Sequence, residues 1–489
     1  MGSSTFYEHW NACLLASLST PKHTSIPCND RVSQDSKHPL SGRFIGVMSG
    51  TSLDAVDVVV VDLSILETKE NKPLFSLVDA EAKDLLSLAK TSKKKTKENK
   101  DLVSLVLDDE HKKLKEISFS LENEEKTKET KPLVSLVEEN LQHYEHPYPE
   151  TLKKQVLSLQ TKKTISLAAF ITLEKELTDL YADAVESALK TWGIDKSSVV
   201  AVCNHGQTVF HQADENGEMG TLQVGDASRL AETLGMRVIA DFRRGDIARG
   251  GQGAPLLPFY DALRFSDPDQ TVVAHNLGGI CNVSVLPSES LGLEPFAFDT
   301  GLANLWIDRA MLEYFGKSYD KNGVMAQSGE VISALLTAIL AHPFHQKDSP
   351  KSTGRDDFSD KVLFSLIAKH AKASPKENIV CTLTHATALS MVQAYRDFII
   401  PKVGKVDALI FSGGGVYNRY LLELFEAYWQ SEGLGNLPKI KHPQDYGVPN
   451  KAKEALGFAW LGWAKWHGLP NNLPSCTGAN AYVSGGVIY

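Results

Sequence analysis

Residues 43–63 read RFIGVMSGTSLDAVDVVVVDL. An apolar run, FIGV, leads into a Gly/Ser/Thr turn, and a Val-rich run follows. That pattern reads as strand, tight turn, strand. Glycine in such a turn lets the backbone come close to a ligand, and the small hydroxyls add donors. Upstream, residues 1–41 are polar with no clear period and read as a flexible tail. Downstream, residues 65–140 are rich in Lys, Glu and Ser and hide a repeat: KENKPLFSLV from Lys69, KENKDLVSLV from Lys97 and KETKPLVSLV from Lys128. Degenerate copies in a charged segment read as a local duplication rather than a solenoid. The last copy is expected to supply a true strand, because the globular pattern resumes directly after it. About 65–127 is then a surface insertion, dispensable for chemistry.

The remaining pattern alternates strands and helices. TLEKELTDLYADAVESALKTWG spaces its apolar residues as an amphipathic helix stopping at Gly193. SVVAVCNHGQTVFH (198–211), VIADF (238–242), TVVAHNLGGICNVSVL (271–286) and VDALIFSGGG (406–415) read as strands entering polar or glycine turns. The class is α/β. A net charge of −9 argues against nucleic acid and anionic membrane surfaces as partners, since both demand a basic footprint. Six cysteines, Cys13, Cys28, Cys203, Cys281, Cys381 and Cys476, lie far apart without a metal-ligand spacing, which fits a reducing compartment, the cytoplasm.

Three glycine turns follow strands: Gly50-Thr51-Ser52-Leu53-Asp54, Asn276-Leu277-Gly278-Gly279-Ile280-Cys281-Asn282 and Ser412-Gly413-Gly414-Gly415. None matches the P-loop or the dinucleotide fingerprint. Together they point to phosphate binding. Carboxylates lie nearby. Asp54 follows the first turn, Asp299 ends a strand in AFDTGLAN, and Glu454 opens the apolar helix EALGFAWLGWAKW. Phosphoryl transfer needs such groups to hold magnesium and to orient or deprotonate a nucleophile. Asp308 is read instead as a helix N-cap. A second set of polar turns, His205-Gly206-Gln207-Thr208, Asp241-Phe242-Arg243-Arg244-Gly245-Asp246 and GGQGAPLLP (250–258), offers hydroxyl partners for a sugar.

In this order, IGVMSGTSLD, HGQTVFH, ADFRRGDIARGGQGAPLLP, NLGGICNVS, FDTG, KSTGR (351–355), FSGGGVYN and KEALGFAW resemble the anhydro-N-acetylmuramic acid kinase family. The resemblance runs from Phe44 to the C-terminal end, leaving out the tail and the 65–125 insertion. It implies an actin/Hsp70/hexokinase-like fold with two ribonuclease-H-like lobes around an ATP cleft, residues 42–262 forming the first lobe and 263–489 the second. ATP would contact Gly50, Thr51, Ser52, Asp54 and Asp57, then Asn276, Gly278 and Gly279, then Gly413, Gly414, Gly415 and Asn418. Asp299 would be the catalytic base, Asp54 and Glu454 would hold Mg2+, and Thr208, Arg243 and Asp246 would bind the anhydro sugar. A homodimer is implied as well.

Two departures bear on activity. Ala55 stands where the family has Gly, and a methyl there would crowd the loop if the backbone had φ > 0. Leu302-Ala303 replaces the family's Pro-Gly and would shift how Asp299 is presented. A levoglucosan kinase, or a nucleotide-binding scaffold with weakened catalysis, are the alternatives to the amino-sugar kinase.

Overall fold

The computed structural model describes residues 40–50, 53–68, 133–212, 220–349, 351–353 and 357–489, with Trp10, Cys13 and Leu14. Residues 67–135 form a unit of their own, of which only the end of β2 and the start of β3 are described. All else belongs to the other unit, built on two sheets. The first contains β1 (Gly42–Ser49), β2 (Ala55–Thr68), β3 (Leu133–Pro147), β4 (Val199–Asn204), β7 (Val238–Ala240) and β13 (Val487–Ile488). A hairpin of β5 (Gln207–Gln212) and β6 (Gly220–Val224) stands apart. The second sheet contains β8 (Val272–Leu277), β9 (Ile280–Leu286), β10 (Phe296–Leu302), β11 (Ala408–Ser412) and β12 (Lys439–Lys441).

Leaving out the hairpin and β13, the two sheets share one order: third, second, first, fourth, fifth strand. In each, the first two strands are antiparallel and the first, fourth and fifth run parallel. This duplicated topology is the two-lobed, ribonuclease-H-like arrangement implied by the sequence. Each lobe has its own core. One gathers Ile45, Val58, Leu177, Tyr181 and Val185, the other Val273, Val283, Phe411, Phe425 and Trp429. The long helix Leu167–Trp192 is bounded by local chemistry. Ser166 accepts from the Ala169 amide at 3.3 Å, and Gly193 ends it at φ 64°.

β3 begins inside the last repeat copy, as its position predicted, and the other copies lie outside the described residues. Two expectations change. The tail is anchored where it is described: Trp10 and Leu14 are buried, with Trp10 edge-on to Phe259 and its indole N–H donating to the Pro470 carbonyl at 3.3 Å. Large apolar side chains outweigh the polar average of the segment. The second lobe also does not run to the C-terminus. The helix Lys453–Trp466, buried on nearly every side, packs on β1 and β4, where the Cys203 thiol faces the Ala459 carbonyl. β13 then pairs with β7 of the first sheet. A helix apolar all round must lie between layers, and that need draws the chain back to the first lobe.

Candidate active site

One row of residues crosses four strands of the second sheet. Ser412 on β11 pairs with Asn276 on β8, Asn276 with Asn282 on β9, and Asn282 with Asp299 on β10. Residues paired across neighbouring strands share a face. The second and third glycine turns and Asp299 therefore present to one side of one sheet. At a strand spacing of about 4.8 Å, Asp299 lies on the order of 10 Å from Asn276.

The glycines divide by what a side chain would meet. A Cβ on Gly413 would come 2.6 Å from the Asn276 side-chain oxygen, and one on Gly415 2.7 Å from the Leu277 Cβ. These two are glycine so that the two turns can abut. At Gly414 nothing lies within 4 Å, and at Gly278 and Gly279 the nearest atoms are 3.4 Å and 3.9 Å away. None of these three has positive φ. The protein's own packing and backbone do not demand glycine there, and the space left would admit a ligand, as a phosphate-binding turn requires. Gly414→Ala is accordingly expected to leave thermal stability unchanged while raising KM for ATP about tenfold, the effect of one misplaced methyl in a binding site. Melting curves beside ATP titrations would check it. Asn418 is buried and caps the helix Arg419–Ser431, accepting from the Leu421 amide at 3.1 Å. It therefore shapes the turn, and its oxygen is already in use.

The NLGG turn is held from below. The amides of Ala303, Asn304 and Leu305 donate to the carbonyls of Gly278 and Gly279, and the Asn304 side chain donates to the Leu277 and Gly278 carbonyls at 3.1 Å and 2.8 Å. Leu302 is buried among Trp306, Phe344 and Phe358. The replacement of Pro-Gly is thus absorbed by the core, and Asn304 still straps the turn.

In the first lobe, Gly50 and Leu53–Asp54 bracket the first glycine turn, while Thr51 and Ser52 lie outside the described residues. Among the described residues of this turn the one with positive φ is Leu53, at 55°, and Ala55 opens β2. The methyl of Ala55 therefore causes no backbone strain. Asp54 is exposed and pairs with Lys153 at 2.7 Å. Asp57 accepts from or pairs with His143 Nε2 at 2.8 Å.

Glu454 stands at the start of the Lys453–Trp466 helix. Burial raises its proton affinity, and the charge of Asp57 raises it further, against Lys453 and Arg243. Carboxylates that feel each other's charge, as Glu454 and Asp57 do, are the kind of oxygen ligand a hard divalent cation takes. Asp308, read as an N-cap, caps nothing: Asn304 precedes its helix, Leu305–Phe315. Burial, then the charges of Asp54 and Asp320, pushes its carboxyl up to about 7. It belongs electrostatically with Asp54, and an acidic residue one turn into a helix carried no sign of that in sequence.

Among the residues expected to bind the sugar, Arg243 is the hub. Its guanidinium donates to His205 Nε2 at 2.9 Å and 3.1 Å and to the Gly253 carbonyl at 2.8 Å. Burial lowers it to about 10, and the charges of Glu454 and Asp246 oppose that. Burial and the adjacent Arg243 keep His205 neutral. Thr208 offers a half-buried hydroxyl that accepts from Gln223 at 3.2 Å. Asp246 is different. It is fully buried, and its carboxylate accepts from the Gly253 amide at 2.8 Å and from Asn472 and Thr477 at 2.7 Å. A carboxylate so enclosed ties the GGQGAP loop to the C-terminal segment, a structural role beside the sugar contact expected of it.

Asp299 is half-buried, and β10 is irregular between Asp299 and Gly301. Burial pushes its carboxyl up to about 7, against the Thr353 amide and the Lys351 ammonium. A carboxyl with that proton affinity can accept a proton near neutrality.

The profile of the anhydro-N-acetylmuramic acid kinase family matches residues 42–116 and 132–489, so the break falls at 117–131 rather than across the whole charged stretch. An anhydro-N-acetylmuramic acid kinase of Francisella tularensis subsp. novicida is 38% identical over 342 residues, 69% of this chain and 87% of that one. One of Bacillus cereus is 36% identical over 346 residues, covering 70% and 89%. A ROK family glucokinase from Streptomyces griseus, solved with glucose and AMPPNP, covers 67% of this chain and 94% of its own at 13% identity and a TM-score of 0.29, too slight a likeness to add to the strand order. With its duplicated topology, its glycine turns and this match over most of its length, the chain belongs to the anhydro-N-acetylmuramic acid kinase family.

Proposed function

We propose that this protein uses ATP to convert 1,6-anhydro-N-acetylmuramic acid to N-acetylmuramic acid 6-phosphate. Asp299 takes a proton from water as its oxygen attacks C1, and the C1–O6 bond breaks. The freed O6 then attacks the γ-phosphorus of ATP and ADP leaves. The observation that supports this reading is the row Ser412–Asn276–Asn282–Asp299, with the Asp299 carboxyl on the same sheet face as two glycine turns that leave open space. Glu454 and Asp57, with Asp54, would hold Mg2+, and Arg243, His205 and Thr208 would face the sugar. Bound magnesium offsets charge on the β- and γ-phosphate oxygens. Ala55 without strain and Leu302 in the core speak for a working enzyme over a scaffold. No helix among the described residues is long and apolar enough to cross a membrane. A cytoplasmic homodimer is proposed on family resemblance alone.

The test is ATP consumption with magnesium and one of four sugars: 1,6-anhydro-N-acetylmuramic acid, levoglucosan, glucose or N-acetylmuramic acid. Turnover is expected with the anhydro amino sugar alone. Turnover confined to levoglucosan, or none with any sugar, would overturn the assignment.

A further inference from the structure

The segment Lys351–Thr353 runs directly beside Asp299. The Asp299 amide donates to the Lys351 carbonyl at 2.9 Å, and the Thr353 amide donates to Asp299 Oδ2 at 2.7 Å. Among the described residues Oδ1 has no donor, which leaves it for the attacking water. The Lys351 side chain turns inward and is 7% exposed. Its Nζ lies 3.9 Å from the Phe398 ring centroid, 5.0 Å from Phe344 and 6.0 Å from Phe298, and donates to the Phe344 and His345 carbonyls at 3.4 Å and 3.3 Å. Among the described residues no carboxylate lies within ion-pair distance of it.

A buried ammonium is costly to keep. Aromatic faces and two carbonyls offset part of that cost, yet a methionine would fill the same box at less. Burial lowers the Lys351 ammonium to about 8, and the charges of Asp397, Asp348 and Asp299 act to retain its proton. His345, beside it, is held neutral by burial. Among the described residues, the other titratable group shifted by the charge of Asp299 is the buried Cys281 thiol, itself pushed up by burial.

We propose, resting on the reading of Asp299 as the base, that Lys351 and Thr353 are its positioning residues: the Thr353 amide orients the carboxylate, and Lys351, in its aromatic box, holds a buried positive charge near it at neutral pH. The charge favours the ionised base at neutral pH. Without it the carboxylate takes up a proton more readily, so activity is lost first on the acid side.

The experiment is the pH profile of kcat/KM for sugar-dependent ATP consumption in the full chain, for wild type, Lys351→Met, Lys351→Arg and Asp299→Asn. Lys351→Met is expected to move the acid limb up by roughly one unit, the size of a nearby opposite charge, and Lys351→Arg to restore it. An unmoved limb in Lys351→Met, whatever its kcat, would mean a purely structural anchor and overturn the proposal. So would an arginine variant shifted as far as the methionine one. Should Lys351→Met not fold, Phe398→Leu opens the box to water and screens the charge; a limb shifted the same way by a smaller amount supports the proposal, and an unmoved one overturns it. Wild-type turnover in Asp299→Asn would instead sink the base assignment, a separate failure.

Discussion

Asp299→Asn is expected to lower kcat by roughly 10^2- to 10^4-fold, the usual contribution of a general base. The carboxamide is nearly the same shape and can still accept from the Thr353 amide at the Oδ2 position. The fold and the ATP turns should therefore survive, and KM for ATP should change little. What disappears is the group that accepts the proton. In the wild type the base is active when ionised, and its proton affinity lies at about 7. Activity should rise with pH through that value and level off above it. In Asp299→Asn the residual rate should lose this acid limb. Stopped-time ATP consumption across pH 5 to 9, on protein whose melting curve matches wild type, is the measurement. A residual rate that keeps the limb would place the titrating group elsewhere.

Gly46→Ala is expected to be the most damaging glycine-to-alanine change among the described glycines. Gly46 sits in the middle of β1, where a Cβ would come 1.8 Å from the Ala455 carbonyl oxygen and 2.7 Å from its carbon. Both are backbone atoms of the helix carrying Glu454, so no rotamer change can relieve the clash. The helix must slide off β1, and the loss should exceed about 3 kcal/mol, the upper range for overpacking. Because Ala455 adjoins Glu454, the displaced helix start should also impair turnover in whatever fraction remains folded. Urea unfolding compared with Gly414→Ala, a glycine with open space around it, gives the contrast. A Gly46→Ala protein as stable as wild type would show that β1 and the helix are less closely apposed than described.

The glycine turns, the Asp299 carboxyl at a strand end and the acidic start of the last helix could be picked out in the sequence because each is local: a strand, a bend and one side chain that the bend presents. Other parts were hidden because their meaning depends on distant partners. Asp246 looks like a sugar ligand in sequence, yet Asn472 and Thr477, more than two hundred positions away, both donate to its Oδ1 and give it a structural role that no local pattern announces. Asp308 looks like a cap, yet the fold brings it under the influence of Asp54. The KSTGR segment could be recognised but given no role, since its task exists only once Lys351 and Thr353 lie against β10.

By itself the sequence determined the α/β class, the strand–turn–strand units, the family and the side chains that stand at the turns. Those follow from periodicity, glycine's small size and the chemistry of side chains at turns, all decided within a few residues. Only the tertiary structure decided that Ser412, Asn276, Asn282 and Asp299 share one row, and that the last helix and β13 return to the first lobe. Strand register and helix docking are set by hydrogen bonds and burial between segments far apart in the chain, where the free-energy gain comes from covering apolar surface that no local pattern assigns to a particular partner.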